Sequence, residues 1–245
     1  MKRKILIFVV TYKASFRILR LINKIPFSKL KKINYKILIS DDNSEDEETI
    51  KYINLAKNRF KSKITLNFNK ENLGYGANIK KCLNIAYKSN FDFAVMLHGD
   101  NQYNPKYIYN MINQLSHNQN ISAVCGSRMS NKKNALKGNM PIYKFIGNIF
   151  LTKLFNLIFN TKFTDCHTGY WAYNLKKIKR KTFKKCDNKF CFDVDLRINL
   201  INQNHLIKEI PIGTYYGTER SSTHIIYAIR FFIKTIIDGF FNKKK

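Results

Sequence analysis

The chain opens on Lys4–Thr11 (KILIFVVT), an apolar run rich in β-branched residues, and a second such run follows at Tyr35–Ser40 (YKILIS). Short runs of this kind predict buried strands. Between them Ile18, Leu21, Ile22 and Ile25 recur at helical spacing within Phe16–Ile25, so one face of a helix is expected to pack inward. A further helix is expected from Asp46 to Lys57, capped by Asn43 or Ser44, with acids in its first turn where the helix dipole favours them. Lys63–Asn67 predicts a third strand, and Ile79, Leu83 and Ala86 then line one face of a helix that follows Asn72-Leu-Gly-Tyr-Gly. Phe91–Leu97 is the fourth predicted strand, Pro105–Leu115 a helix and Ile121–Cys125 the fifth strand.

Strands alternating with helices at this spacing imply right-handed crossovers and an α/β fold on a largely parallel sheet. In such sheets ligands gather beyond the carboxyl ends of the strands. Thr11-Tyr12-Lys13, Asp41-Asp42-Asn43-Ser44, His98-Gly99-Asp100-Asn101-Gln102 and Gly126-Ser127-Arg128 fall there. Their content suggests a nucleotide-diphosphate and metal site, although no G-x-G-x-x-G or Walker loop is present.

Composition narrows the partners. Among 245 residues, 44% are hydrophobic and 14% aromatic, enough for a folded core rather than a disordered chain. Lys and Arg number 44 against 16 Asp and Glu, a net charge of +28, which favours nucleic acid, anionic lipid headgroups or phosphorylated small molecules. The alternative source of the charge is codon bias, since abundant Lys, Asn and Ile are also the pattern expected of an AT-rich genome. Five cysteines without C-x-x-C spacing argue against a disulfide framework or a zinc site and for a reducing cytosol. The N-terminal apolar run is too short for a span and no small-residue cleavage site follows, so it is expected to be the first strand.

The carboxylates are unevenly placed. Residues 1–40 hold none against eleven Lys or Arg, six of the sixteen fall between Asp41 and Glu48, and none lies between Asp100 and Asp165. Asp100 is thus isolated in a basic stretch, a candidate cation ligand. A hard cation such as Mg²⁺ or Mn²⁺ wants oxygen donors completed by phosphates and water; Asp100 can supply one, Gln102 another, and Gly99 lets the backbone approach. The alternative is a solvent-exposed turn. His98 is either a further ligand or a hydrogen-bonded strand-end histidine. Asn43 or Ser44 suits a turn or cap, whereas the carboxylate of Asp42 can accept a base imide or ribose hydroxyl.

Taken together, V-V-T-Y at 9–12, D-D-N-S at 41–44, N-L-G-Y-G at 72–76, H-G-D-N-Q-Y-N-P at 98–105, G-S-R-M at 126–129 and D-C-H-T-G-Y-W-A-Y at 165–173 resemble family 2 glycosyltransferases. The last two segments look like the branch of dolichyl-phosphate mannose and polyprenyl-phosphate glucose synthases. The resemblance spans residues 4–220. It implies a GT-A fold, with a Rossmann-like, mostly parallel central sheet flanked by helices. Residues 1–128 would form the nucleotide-sugar half, 129–220 the acceptor half, and 221–245 an amphipathic helix and basic tail. It assigns Tyr12 and Asp42 to the nucleoside, Asp100 and Gln102 to metal and donor diphosphate, and Arg128 to a phosphate of donor or acceptor. Asp165 lies near the reaction centre in relatives, as a catalytic carboxylate or one that orders its loop, and Asp193 or Asp195 would orient the acceptor. Trp171 is expected in the core or as a sugar-stacking wall. One departure is His98, which stands where that branch usually has an Asp, and it leaves Asp100 the stronger ligand candidate.

Ile142–Asn160 and Ile225–Phe241 are rich in aliphatic and aromatic residues, and Lys243-Lys244-Lys245 follows the second. Neither offers about 20 uncharged residues. Both are expected to lie in a membrane interface, the alternative being packing on the core or on a second subunit. The expected activity is inverting transfer of a hexose from a GDP- or UDP-hexose to a polyprenyl or dolichyl-type lipid phosphate, by a peripheral protein on the cytoplasmic face of the cell membrane. Arg128 and Lys144 would hold the acceptor phosphate. Arg220 and a divalent cation would offset charge on the leaving diphosphate. Transfer to a saccharide hydroxyl of surface polysaccharide or lipopolysaccharide is the alternative, and would need a base among Asp165, Asp193 and Asp195. A catalytically silent nucleotide-sugar binder is a third reading. Nucleic acid is not an expected partner, because no RNP-type aromatic pair, helix-turn-helix or KH-type loop is present.

Overall fold

In β1 (Lys4–Thr11), Ile5, Ile7 and Val9 enter one core while Leu6, Phe8 and Val10 enter another. Burial on both faces is why this strand reads as an unbroken apolar run rather than an alternating one. The computed structural model describes residues 3–216 and 225–242; Arg220 and Lys243–Lys245 lie outside the described residues.

β1 is joined by β2 (Asn34–Asp41), β3 (Ile64–Phe68), β4 (Phe93–His98), β5 (Ile121–Ser127), β6 (Trp171–Asn174) and β7 (Leu206–Pro211), in the spatial order β3-β2-β1-β4-β6-β5-β7. β1 pairs in parallel with β2 and β4, β2 with β3, and β5 with β7. β6 is antiparallel to both neighbours, β4 and β5. The carboxyl ends of β1, β2, β4 and β5 therefore share one edge, and the start of the reversed β6 delivers residues 165–170 to that same edge.

One face of the sheet is covered by α1 (Arg17–Asn23), α2 (Phe27–Leu30), α3 (Glu47–Arg59) and α5 (Ile108–His117), the other by α4 (Tyr75–Lys88), α8 (Arg180–Lys184) and α9 (Phe192–Asn202). α6 (Lys132–Lys137), α7 (Ile142–Phe159) and α10 (Ile225–Asn242) complete the described fold. A smaller apolar cluster forms where Leu151 and Phe155 of α7 meet Val194 and Ile198 of α9 and Phe231 of α10.

The elements predicted from the pattern through residue 127 all form, with ends shifted by no more than two residues. The helix expected from Pro105 begins as a 3₁₀ turn, Pro105–Tyr107, before α5. The cap of α3 differs from expectation: it is Asp46, which accepts Thr49 N–H at 3.2 Å. Ser44 is committed elsewhere. Its N–H donates to Asp41 at 2.8 Å, its hydroxyl donates to Asp41, and it accepts Lys13 N–H at 2.8 Å.

Candidate active site

Tyr12, at the end of β1, is half exposed with Lys13 Nζ 5.3 Å from its ring centre. Beside it, at the end of β2, Asp42 is buried and accepts Asn69 Nδ2 at 2.7 Å, Leu73 N–H at 3.0 Å and Gly74 N–H at 2.9 Å. An ionised carboxylate offers about four lone-pair positions. Asp42 thus clips the loop before α4 and, among the described residues, keeps one acceptor position unused.

The loop after β4 is different. Asp100 is exposed, and the hydrogen bond found for it is from Gln102 N–H to Oδ1 at 2.9 Å. Gly99 is required where it stands, because a Cβ there would lie 2.4 Å from Thr11 Oγ1. Among the described residues no group of three or more His, Cys, Asp or Glu side chains encloses a metal position. The donor set fits a hard cation that takes one protein carboxylate and completes its shell with substrate phosphates and water. Asp100 and Gln102 are the residues that would hold it.

His98 is engaged in protein contacts. Its Nε2 lies 3.1 Å from Tyr75 Oη, which donates to Asp193 Oδ2 at 2.8 Å, so the imidazole N–H donates to Tyr75 and a chain runs His98 to Tyr75 to Asp193. The ring meets Tyr75 and Tyr103 edge-on, with centres 5.4 and 5.1 Å apart. A Cβ on Gly169 would come within 2.7 Å of His98 Cε1. Burial pushes the imidazole pKa down, against the pull of Asp100. These contacts make His98 a strand-end anchor in place of the metal ligand considered from sequence. At the far end of the chain, Asp193 Oδ1 is buried without a hydrogen-bond partner among the described residues, and burial raises the carboxyl pKa to about 7.

Arg128 and Asp165 form a buried bidentate pair, Nε to Oδ2 at 2.7 Å and Nη2 to Oδ1 at 2.8 Å. Asp165 also accepts Arg128 N–H at 3.1 Å, His167 N–H at 3.1 Å and Asn148 Nδ2 at 2.9 Å. Burial opposes ionisation, yet the guanidinium and these donors hold the carboxyl well below the usual carboxylate range. An acid so held and so saturated takes no proton from a substrate. Asp165, expected among the catalytic residues, is instead the residue that orders its loop and orients Arg128.

Arg128 Nη1 donates to Tyr216 Oη at 3.0 Å, and Lys144 Nζ lies 5.8 Å from the centre of the same ring. Burial, and then the charge of Arg128, lower the Lys144 pKa. The two cations expected at a phosphate are thereby brought together across Tyr216, and two of the five guanidinium N–H groups of Arg128 have no partner among the described residues.

Asp195 pairs with Lys234 at 3.0 Å and accepts Asp187 N–H at 2.7 Å. Trp171 is fully buried in β6, which leaves it the core role and not that of a sugar wall. Sequence reasoning missed Arg197. Fully buried, its guanidinium lies 4.5 Å from the ring centre of Phe163 and 4.7 Å from that of Trp171, and Nη2 donates to the Asp165 carbonyl at 3.2 Å. It braces the Asp165 loop from below. Tyr75, quoted only as part of N-L-G-Y-G, was missed as well; a tyrosine between two motif glycines was the available signal.

A family model described as Glycosyl transferase family 2 matches residues 6–180. The UDP-N-acetylglucosamine–dolichyl-phosphate N-acetylglucosaminyltransferase of Methanococcus voltae is 27% identical over 177 residues, 68% of this chain and 66% of the relative, so the chain spans just under two thirds of that protein. An uncharacterised protein of Methanocaldococcus jannaschii is 27% identical over 218 residues, 86% of this chain and 84% of its own. Glucosyl-3-phosphoglycerate synthase from Mycobacterium tuberculosis, in complex with Mn²⁺, UDP and glucosyl-3-phosphoglycerate, superposes with a TM-score of 0.64 at 14% identity, covering 97% of this chain and 80% of that one. The same enzyme with Mg²⁺ and UDP gives 0.66 at 15% identity, covering 97% and 79%. At these identities the likeness is one of fold.

Proposed function

The chain belongs to glycosyl transferase family 2 and has the GT-A fold, and we propose that it transfers a hexose from a nucleotide-diphosphate sugar to a polyprenyl or dolichyl-type lipid phosphate at a membrane surface. The observation that carries the acceptor is the pair Arg128 and Lys144, drawn together across Tyr216 with guanidinium donors to spare. The dolichyl-phosphate acceptor in the name of the Methanococcus voltae relative supports the same choice.

In this reading the nucleoside of a UDP- or GDP-hexose rests against Tyr12 and the remaining acceptor position of Asp42. Its diphosphate reaches Asp100 and Gln102, which would hold Mg²⁺ or Mn²⁺; the Mycobacterium tuberculosis enzyme was crystallised with each of these ions. Bound there, the cation would supply Lewis-acid neutralisation of the leaving diphosphate. Arg128 and Lys144 orient an acceptor phosphate oxygen towards the anomeric carbon. That oxygen forms the new bond as the bond to the diphosphate breaks, with inversion. A phosphate is anionic at neutral pH and attacks without a strong base, which suits a centre where Asp165 is saturated and Asp195 is paired. Arg220, outside the described residues, is a candidate second cation for the leaving group. Action as a peripheral protein on the cytoplasmic face of the membrane belongs to the same proposal, as does the division into a donor half through residue 128 and an acceptor half beyond it.

One observation favours a second reading. Asp193 has an Oδ1 unpartnered among the described residues and a pKa of about 7, the range suited to a general base, and a base is what a saccharide hydroxyl would require. Incubation with radiolabelled UDP- and GDP-hexoses, Mn²⁺ and either a polyprenyl phosphate or an oligosaccharide separates the two. Label in the organic-extractable lipid, retained in Asp193→Asn, supports the first reading. Label in the saccharide alone, lost in that variant, replaces it with the second.

A further inference from the structure

The polarity of α7 runs opposite to that of an ordinary surface helix. Its inward side carries Asn148, Thr152 and Asn156 beside Leu151 and Phe155. Asn148 donates to Asp165, Thr152 Oγ1 accepts Cys166 N–H at 3.2 Å, and Asn156 accepts Phe163 N–H at 3.0 Å and donates to its carbonyl at 2.8 Å. Its outward side carries Ile142, Ile146, Phe150 and Leu157, which are 71%, 60%, 59% and 79% exposed. These recur every turn or two along an 18-residue helix, and Lys153 is the charge that shares their side. A helix facing water hides its apolar residues and shows its polar ones. With its polar residues spent on the site loop and its apolar ones turned out, α7 is matched to an apolar medium.

Charge selects the medium. Residues 101–164 contain no carboxylate and eight Lys or Arg. Lys132, Lys133 and Lys137 are exposed on α6, which packs on α7, and Lys144 leads from the first turn of α7 to Tyr216 and Arg128. A second copy of a +28 chain would meet this face with like charge. An anionic bilayer offers acyl chains and negative headgroups together.

α7 is long and apolar enough to cross a membrane by length and composition. Its hydrogen bonds to the 163–166 loop, however, tie one side of it to the protein along its length. We propose that α7 lies flat in an anionic membrane surface, with Ile142, Ile146, Phe150 and Leu157 among the acyl chains and the α6 lysines at the headgroups. The cation pair at the start of α7 then opens at the level of lipid phosphates. This deepens the lipid-acceptor reading and rests on it for the direction from which the acceptor arrives.

The test is co-sedimentation of the full chain with vesicles of equal parts phosphatidylglycerol and phosphatidylcholine, against phosphatidylcholine alone. Binding is expected to the anionic vesicles and to weaken in the Ile146→Glu/Phe150→Glu variant by about tenfold or more, with the melting temperature and transfer to a short-chain soluble polyprenyl phosphate unchanged. Equal binding by wild type and variant, or no binding by either, overturns the proposal. Dimerisation abolished by the same variant also overturns it and gives the face to a second copy. If vesicle binding follows expectation while no lipid phosphate accepts sugar, the acceptor reading fails and the membrane face stands.

Discussion

Two carboxylates at the same edge of the sheet, Asp100 and Asp165, show opposite ways of using a charge. Asp100 is exposed with one hydrogen bond to its side chain, while Asp165 is fully buried and accepts five. The first has lone pairs to give to something that comes and goes. The second has given all of its own to the fold. What marks a site for exchangeable ligands is therefore the unspent acceptor capacity of a strand-end acid, and its position alone does not distinguish the two.

The comparison breaks most sharply at Asp165. Asp165→Ala leaves the Arg128 guanidinium buried without its partner, a loss of about 3–5 kcal/mol, or on the order of 10 °C in a chain of this size, read by scanning calorimetry. Acid acts in the same direction. Because the folded carboxyl titrates below its unfolded value, its stabilisation is complete above about pH 4 and is lost as pH falls further. A variant as stable as wild type would mean that the pair contributes nothing to the fold.

Asp100→Ala should do the reverse. Transfer is expected to fall by about 100-fold or more, the scale of losing one electrostatic stabiliser of a leaving group, while stability changes by no more than about 0.5 kcal/mol. Turnover at the wild-type rate would move the donor diphosphate away from this loop.

Asp193 lies between these extremes, with one oxygen bonded to Tyr75 and the other without a partner among the described residues. Its pKa of about 7 in the folded protein, above the ordinary carboxylate value, means the folded state holds its proton more tightly than the unfolded chain. Stability from this group is full below about pH 4 and declines as pH rises to 7. Asp193→Asn lacks that decline, and at pH 8 it should melt a few degrees above wild type, on the order of 2 kcal/mol after allowance for partial solvent screening. Melting curves of both proteins from pH 5 to 8 check the slope; parallel curves would show an ordinary carboxylate.

How much of this was legible follows from what each residue answers to. Buried parallel strands are written as unbroken apolar runs, so β1 to β5 could be located and the ends of β1, β2, β4 and β5 given ligand roles. β6 could not: its four residues, Trp171–Asn174, sit inside a motif that reads as site chemistry, and its reversal depends on pairing with β4 and β5. That reversal is what brings Asp165 to the edge. The family and fold were legible because several short motifs agree across the chain. Side-chain occupancy was not, since pattern can place Asp165 and His98 near a centre without counting donors around them. Ser44 was proposed as a cap from residue type, and tertiary hydrogen bonds to Asp41 and Lys13 took it first. Arg197 left no pattern at all, being a charge whose partners are two rings, a carbonyl and the Cys125 sulfur, all brought from other elements.

The smallest effect tests the link between the two regimes. Tyr75 joins His98, the first residue of the His98–Gln102 loop, to Asp193 on α9 by one hydroxyl. Tyr75→Phe keeps the ring, which stacks on Phe190 with centres 5.6 Å apart, and removes only that hydroxyl. Asp193 and His98 each lose a partner, and the net cost is expected to be about 1–2 kcal/mol. A merely structural role ends there. If the hydroxyl also holds the His98–Gln102 loop in register, the variant should need several-fold more Mn²⁺ for half-maximal transfer while its saturated rate stays within about threefold of wild type, because the ligands are intact and only their placement has loosened. An unchanged Mn²⁺ requirement alongside the expected drop in melting temperature would confine Tyr75 to packing. The loop would then owe its position to Gly99 against Thr11 alone.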